Sequence, residues 1–301
     1  MARPANPQLQ LIRAAAWALV LSLTLAVSVA RSANPLEQPP SRAAQRVALI
    51  TAVSHMDRGD PAGDVYFVGF AGFGDQKVFR KEAELAQRVF GSRFATGSRS
   101  LLLVNDSHDR RTYPLATFDN LRAAVTAIGR RMHPDRDTLV LMLTSHGNDE
   151  DGIAITNGSL PEDALSPEDL RQILDESHIR WRIIVVSACY SGIFIPVLKN
   201  ASTLIMTAAD SRHSSFGCND TRDLTYFGEA LLRDALPHAC SLPAAYTDMA
   251  RIIRQRETDE GEIHSNPKLY VGPQMQARLQ QLDAAAGRRC SVQQPRQSAR
   301  H

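Results

Sequence analysis

Two stretches decide the reading of this chain: Thr138-Leu139-Val140-Leu141-Met142-Leu143-Thr144-Ser145-His146-Gly147 and Arg182-Ile183-Ile184-Val185-Val186-Ser187-Ala188-Cys189-Tyr190-Ser191-Gly192. Each is a run of apolar, often β-branched residues without internal Gly or Pro, the composition of a strand buried on both faces of a parallel sheet. Each run ends in small polar residues, one set carrying a histidine and the other a cysteine. In open α/β sheets the chemistry gathers beyond the carboxyl ends of the strands. If the two strands are neighbours, His146 and Cys189 share one rim. A base or cation nearby favours the nucleophilic thiolate of a cysteine, and an imidazole is such a group. Gly147 lets the backbone approach a ligand closely and can aim its N–H at a developing oxyanion. The N–H of Cys189, at the strand-to-helix turn, supplies a second donor. Taken singly, the histidine reads as a cap and the cysteine as a small hydrophobe. Flanked by Gly147 and by Ser187-Ala188, the pair reads as a nucleophile with its proton-transfer partner.

Working outward, strands and helices alternate. Residues 64–70, 101–105 and 202–208 are short apolar runs that predict further strands, and residues 153–155 predict a hairpin arm beside the rim. Helical spacing covers residues 43–56, 79–90, 118–132, 193–198, 227–236, 244–255 and 274–286. Ser166-Pro167-Glu168-Asp169 opens another helix, to about residue 177, with a capping serine, a proline in the first turn and acids at the positive end. This alternation predicts an α/β sandwich with a mostly parallel central sheet. The acidic loop Asn148-Asp149-Glu150-Asp151-Gly152 lacks the rest of an EF-hand loop and reads as a solvated turn. No metal or other cofactor is expected.

Residues 1–30 stand apart. Arg3 and Arg13 precede an uncharged apolar stretch from Ala14 to Ala30, which closes on the small residues Ser28-Val29-Ala30. That order predicts a cleaved signal peptide and an exported, periplasmic or secreted protein. An uncleaved membrane anchor is the rival reading. Residues 31–45, with Pro35, Pro39 and Pro40, read as a linker, residues 46–286 as the folded domain and the Arg- and Gln-rich residues 287–301 as a disordered tail. The net charge is +2, and removing residues 1–30 takes away two arginines and no acid, leaving the signs balanced. With no basic cluster interleaved with aromatics, nucleic-acid binding has no support. The four cysteines are Cys189, Cys218, Cys240 and Cys290. With Cys189 free, one disulfide at most can form among the others, Cys218 with Cys240 being conceivable.

An Ala-Cys motif with a His-Gly roughly 40 residues upstream resembles the caspase-type cysteine peptidases. More narrowly, Thr207-Ala208-Ala209-Asp210-Ser211-Arg212-His213-Ser214-Ser215-Phe216-Gly217-Cys218 resembles a segment of the legumain, or asparaginyl endopeptidase, family. The resemblance spans residues 64–236. It implies a caspase-like α/β/α sandwich and an endopeptidase in which Cys189 attacks the scissile carbonyl and His146 transfers the proton. Gly147 would help hold the oxyanion, and the partner is a peptide or protein substrate. Phe79-Arg80 stands where the family has a Tyr-Arg pair, so Arg80 is the implied pocket cation and Asp220 the implied pocket acid. Together they would serve the carboxamide of Asn, or protonated Asp, before the cut. Ser214 and Ser215 stand where the family's chain pairs with extended substrate. Two departures are Ser187, where the family has a Glu that helps form the pocket, and Val78, where it has an Asn supporting the histidine. A transpeptidase and an inactive binding module on the same fold are the alternatives. Any membrane attachment would run through an uncleaved residues 1–30, and the sequence carries no signal of oligomeric state.

Overall fold

A computed structural model describes residues 41–57, 63–109, 112–157, 162–219 and 221–287. The expected signal peptide, residues 31–40 of the expected linker, Asp220 and the tail beyond Gly287 lie outside the described residues. The first helix, α1 (Arg42–Ser54), is capped by Ser41, whose hydroxyl accepts from the Ala44 N–H. It therefore starts inside the span expected to be linker.

The central sheet contains β1 (Val65–Ala71), β2 (Ser100–Val104), β3 (Thr138–Thr144), β7 (Trp181–Ser187), β8 (Thr203–Thr207) and β9 (Lys268–Val271), in the order β2-β1-β3-β7-β8-β9. All neighbours are parallel except β8 and β9. The expected mostly parallel α/β sandwich is the one adopted. The strands' period of two sends alternate residues to opposite faces. Val140, Met142, Ile183 and Val185 join the core under helices α2 (Lys77–Phe94), α7 (Leu242–Glu260) and α8 (Pro273–Ala285). Leu141, Leu143, Ile184 and Val186 join the opposite core, under α1, α3 (Phe118–Gly129), α4 (Pro167–Glu176) and the short α5 (Phe194–Leu198). Burial of both faces is why these strands read as continuous apolar runs rather than as alternating ones.

The start of α4 forms as its sequence requires, with a reciprocal capping box between Ser166 and Asp169 and Pro167 in the first turn. Between β3 and α4 the chain builds a small antiparallel sheet, β4 (Gly147–Asn148), β5 (Gly152–Ile155) and β6 (Asp163–Leu165), so residues 153–155 are a hairpin arm as expected. The acidic turn between β4 and β5 closes on itself: Asn148 Oδ1 accepts from the N–H groups of Glu150 and Asp151. The edge strand β9 is absent from the sequence reading, because none of its four residues is buried and they carry no run of core residues. Helix α6 (Tyr226–Gly228) passes directly into a π-helical stretch, Glu229–Ala235. Among the described residues, no helix is long and apolar enough to cross a membrane.

Candidate active site

β3 and β7 are direct neighbours, paired in parallel with Thr144 opposite Ser187. The register continues one residue further, where the Ser145 N–H donates to the Ser187 carbonyl at 3.2 Å. His146 and Cys189 therefore leave the sheet at the same level, on adjacent strands. A Cβ on Gly147 would lie 2.5 Å from the Cys189 carbonyl oxygen and 3.1 Å from Ala188 Cβ. Glycine is what allows the hairpin that follows His146 to lie against the cysteine turn. Beyond Cys189 the chain bends sharply through Tyr190, held in the left-handed region at φ 55°. The Tyr190 N–H donates to the His213 carbonyl at 2.9 Å, which pins this turn to the segment following β8.

His146 stands between two aromatic rings. Phe73 meets it edge-on at 4.6 Å between centroids and Phe79 at 5.1 Å. Its Nε2 lies 2.7 Å from Gln76 Oε1. Since a carboxamide oxygen only accepts, the partner assigns the proton to Nε2 and leaves the Nδ1 lone pair for chemistry. Gln76 is also the residue before α2, yet its side chain makes no cap to the helix; it serves the histidine. Burial lowers the imidazole pKa and favours the neutral ring. Val78, expected to stand in the place of a supporting Asn, is fully buried in the core. The support comes instead from two residues earlier, at the mouth of the same helix.

Cys189 is surrounded by donors. The Ser215 N–H donates to Sγ at 3.3 Å, and the thiol donates to the Ser215 carbonyl at 3.4 Å. The Cys218 thiol hydrogen-bonds to the same sulfur and lowers its pKa most; burial opposes the shift, while the N–H and hydroxyl of Ser215 and the hydroxyl of Ser214 add to it. The Cys218 pKa is pushed up, first by this hydrogen bond to Cys189 and then by its own burial. Of the two thiols Cys218 therefore holds its proton, and Cys189 is the more readily ionised. The sequence reading assigned thiolate support to the imidazole. The segment after β8 supplies it, while His146 is engaged by Gln76. Cys218 is a free thiol and Cys240 is disulfide-bonded, so the conceivable Cys218–Cys240 pair is not formed.

Of the other expected pocket residues, Ser214 and Ser215 are beside Cys189. Arg80 follows Phe79, the ring that touches His146, and its guanidinium is held by three carboxylates. Its Nε donates to Glu84 at 2.9 Å, and its Nη1 donates to Asp106 at 2.8 Å and to Asp109 at 3.1 Å. Its charge is therefore more than balanced locally, while Nη2 has no hydrogen-bond partner among the described residues. Ser187 departs from expectation: only 2% exposed, it cannot touch a substrate from an open pocket. Its hydroxyl lies 3.3 Å from Thr225 Oγ1 in a buried polar cluster, because β7 is covered here by the approach to α6. Asp220 lies outside the described residues.

With this geometry in hand, residues 119–278 match the model of the Peptidase C13 family. The matched segment runs from α3 into α8 and includes both strand ends, but not Gln76, Arg80 or the rest of α2. Among solved structures the chain is similar to the crystal structure of caspase-1 from Spodoptera frugiperda, at 14% identity and a TM-score of 0.47, over 72% of this chain and 88% of that one. No curated protein matches the chain in sequence.

Proposed function

The chain belongs to the peptidase C13 family, the legumain-type cysteine peptidases, and on that premise we propose that it is an exported endopeptidase using His146 and Cys189 and cutting after Asn or Asp. The supporting observation is the register of Thr144 with Ser187, which brings a neutral imidazole and a donor-stabilised thiol to one rim. The Cys189 sulfur attacks the scissile carbonyl carbon as the thiol proton passes to His146. The carbonyl π pair moves to oxygen, and the oxyanion is held by the N–H groups of Gly147 and Cys189. Collapse expels the amine, which takes the proton from His146, and water then resolves the acyl-enzyme. Ser214 and Ser215 offer backbone pairing to an extended substrate.

For the side chain before the cut, Arg80 Nη2 is the donor available to a carboxamide oxygen, with Asp220 as the acceptor for its NH₂ group. Glu84, Asp106 and Asp109 around Arg80 repel a carboxylate. Asn is therefore preferred at neutral pH, and Asp becomes a substrate as acidification protonates it. Export is supported by the order of charge, apolar core and small residues in residues 1–30. The disulfide at Cys240 suits an oxidising compartment.

The test is cleavage of a broad peptide library by the mature chain, with Cys189→Ala and Arg80→Ala alongside. Cutting after Asn that vanishes in Cys189→Ala and drops steeply in Arg80→Ala is the expected result. Turnover by Cys189→Ala equal to the parent's refutes the dyad; cutting after Lys or Arg refutes the pocket alone. Intact-mass analysis of the native protein should find residues 1–30 removed.

A further inference from the structure

Beneath the two strand ends lies a carboxyl group that the proposed mechanism does not use. Glu82, in α2, has no exposed surface. Its Oε2 accepts from the Thr225 hydroxyl at 2.7 Å and from the Thr225 N–H at 3.2 Å. Thr225 caps α6, its Oγ1 accepting from the Gly228 N–H at 2.9 Å. A Cβ on Gly228 would lie 2.3 Å from Glu82 Oε2, so the helix gives up a side chain to admit the carboxyl. The hydroxyls of Thr144 and Ser187 face the same group. These two are register partners, the last residues of β3 and β7, each two positions before His146 or Cys189.

The cluster leaves one proton to be located. Glu82 Oε1 and Thr144 Oγ1 are both buried and without a hydrogen-bond partner of good geometry among the described residues. The facing groups offer no cation: Thr144, Ser187 and Thr225 are neutral, and Cys218, across from the carboxyl, is a thiol. On α2 itself, Lys81 pairs with Asp223, and Arg80 with Glu84, Asp106 and Asp109. A carboxylate buried with only neutral donors, these hydroxyls and the Thr225 N–H, is costly. A proton on Oε1 removes the charge and supplies a donor for Thr144 Oγ1, satisfying both unpaired atoms with one bond. Burial raises the Glu82 pKa in the same sense.

We propose that Glu82 is a positioning residue held as the neutral acid, tying the ends of β3 and β7 to the Thr225 cap and so setting how His146 stands to Cys189. This rests on the dyad reading above. The mature chain would be compared with Glu82→Gln, Glu82→Leu and Cys189→Ala by kcat and KM on one cleaved peptide, and by infrared spectroscopy at neutral pH. Gln keeps one acceptor and one donor, so Glu82→Gln should retain kcat to within a few-fold. Glu82→Leu should lose about 10²-fold in kcat with KM little changed, the cost of a small misplacement. The parent should show the carbonyl band of a buried neutral carboxyl, absent in Glu82→Gln. As pH rises above the ordinary carboxyl range, the parent should lose thermal stability, because the unfolded chain releases the Glu82 proton while the native state keeps it; Glu82→Gln should lose less. Absence of the neutral-carboxyl band, or a loss in Glu82→Gln as large as in Glu82→Leu, overturns the proposal. Undiminished turnover by Cys189→Ala would overturn the dyad instead, leaving the band and the stability comparison to judge Glu82 separately.

Discussion

The ends of β3 and β7 are in register, yet the side chains they present are prepared by opposite means. His146 is packed between Phe73 and Phe79, with its polar tether on Gln76. Cys189 is ringed by donors, with Ser214, Ser215 and Cys218 arranged around its sulfur. Both pKa values are lowered, but for different reasons. An imidazole is neutral when it loses its proton, so burial alone achieves the shift. A thiol becomes charged when it loses its proton, so burial works against the shift and donors must overcome it. The histidine can therefore be prepared by β1, β3 and α2, whereas the cysteine needs a segment brought in from beyond β8.

This contrast can be broken by experiment. Its largest consequence is that the two ends should fail independently. His146→Ala should reduce turnover by about 10²–10⁴-fold, the usual range for loss of an acid–base group, while Cys189 keeps a similar alkylation rate. An alkylation rate that collapses in His146→Ala would mean that the imidazole, and not the Ser215–Cys218 segment, sustains the thiolate. A smaller effect tests the tether. Gln76→Leu should lower kcat by about 10²-fold through misorientation of the ring, with KM little changed. Gln76→Glu should raise the His146 pKa, since a carboxylate favours the imidazolium, and move the acid limb of the pH–rate profile upward. An unmoved limb would sever Gln76 from the mechanism.

Smaller again is the loss of one donor to the sulfur. Cys218→Ala should shift the pH dependence of Cys189 alkylation upward by about one unit, in keeping with one hydrogen bond to a charged group. At a pH below the new midpoint, alkylation slows. A downward shift would show that burial by Cys218 outweighs its hydrogen bond. Ser215→Ala should have the least effect, because its Oγ is 3.7 Å from the sulfur while the backbone N–H, which the substitution keeps, is at 3.3 Å. A loss matching that of Cys218→Ala would assign the donor role to the hydroxyl.

Much of the fold is legible in the chain because strands buried on both faces must be apolar throughout. The runs ending at Thr144 and Ser187 show this, and Ser166-Pro167-Glu168-Asp169 marks the start of α4 by its capping chemistry. β9 is less legible, because an edge strand needs only one partner and β8 supplies it. The legibility of the site divides in the same way. His146, Gly147 and Cys189 stand out as polar or small residues at abrupt ends of apolar runs. Gln76 sits in an ordinary polar stretch before a helix, with nothing local to set it apart from a cap.

The sequence by itself determined the layered α/β architecture, the two strand ends and the residues that leave them, since period, composition and chain punctuation are local properties. The tertiary structure decided what those residues meet. It turned Arg80 into a guanidinium shared by three acids, withdrew Ser187 into a buried cluster, and set Gln76 on His146 and Cys218 beside Cys189. It also brought Glu82, an acidic residue in an otherwise amphipathic helix, under both strand ends. The physical reason is that protonation depends on burial and on partners within a few ångströms. Here those partners come from helix and loop segments far apart in the chain, brought together only when the sheet closes.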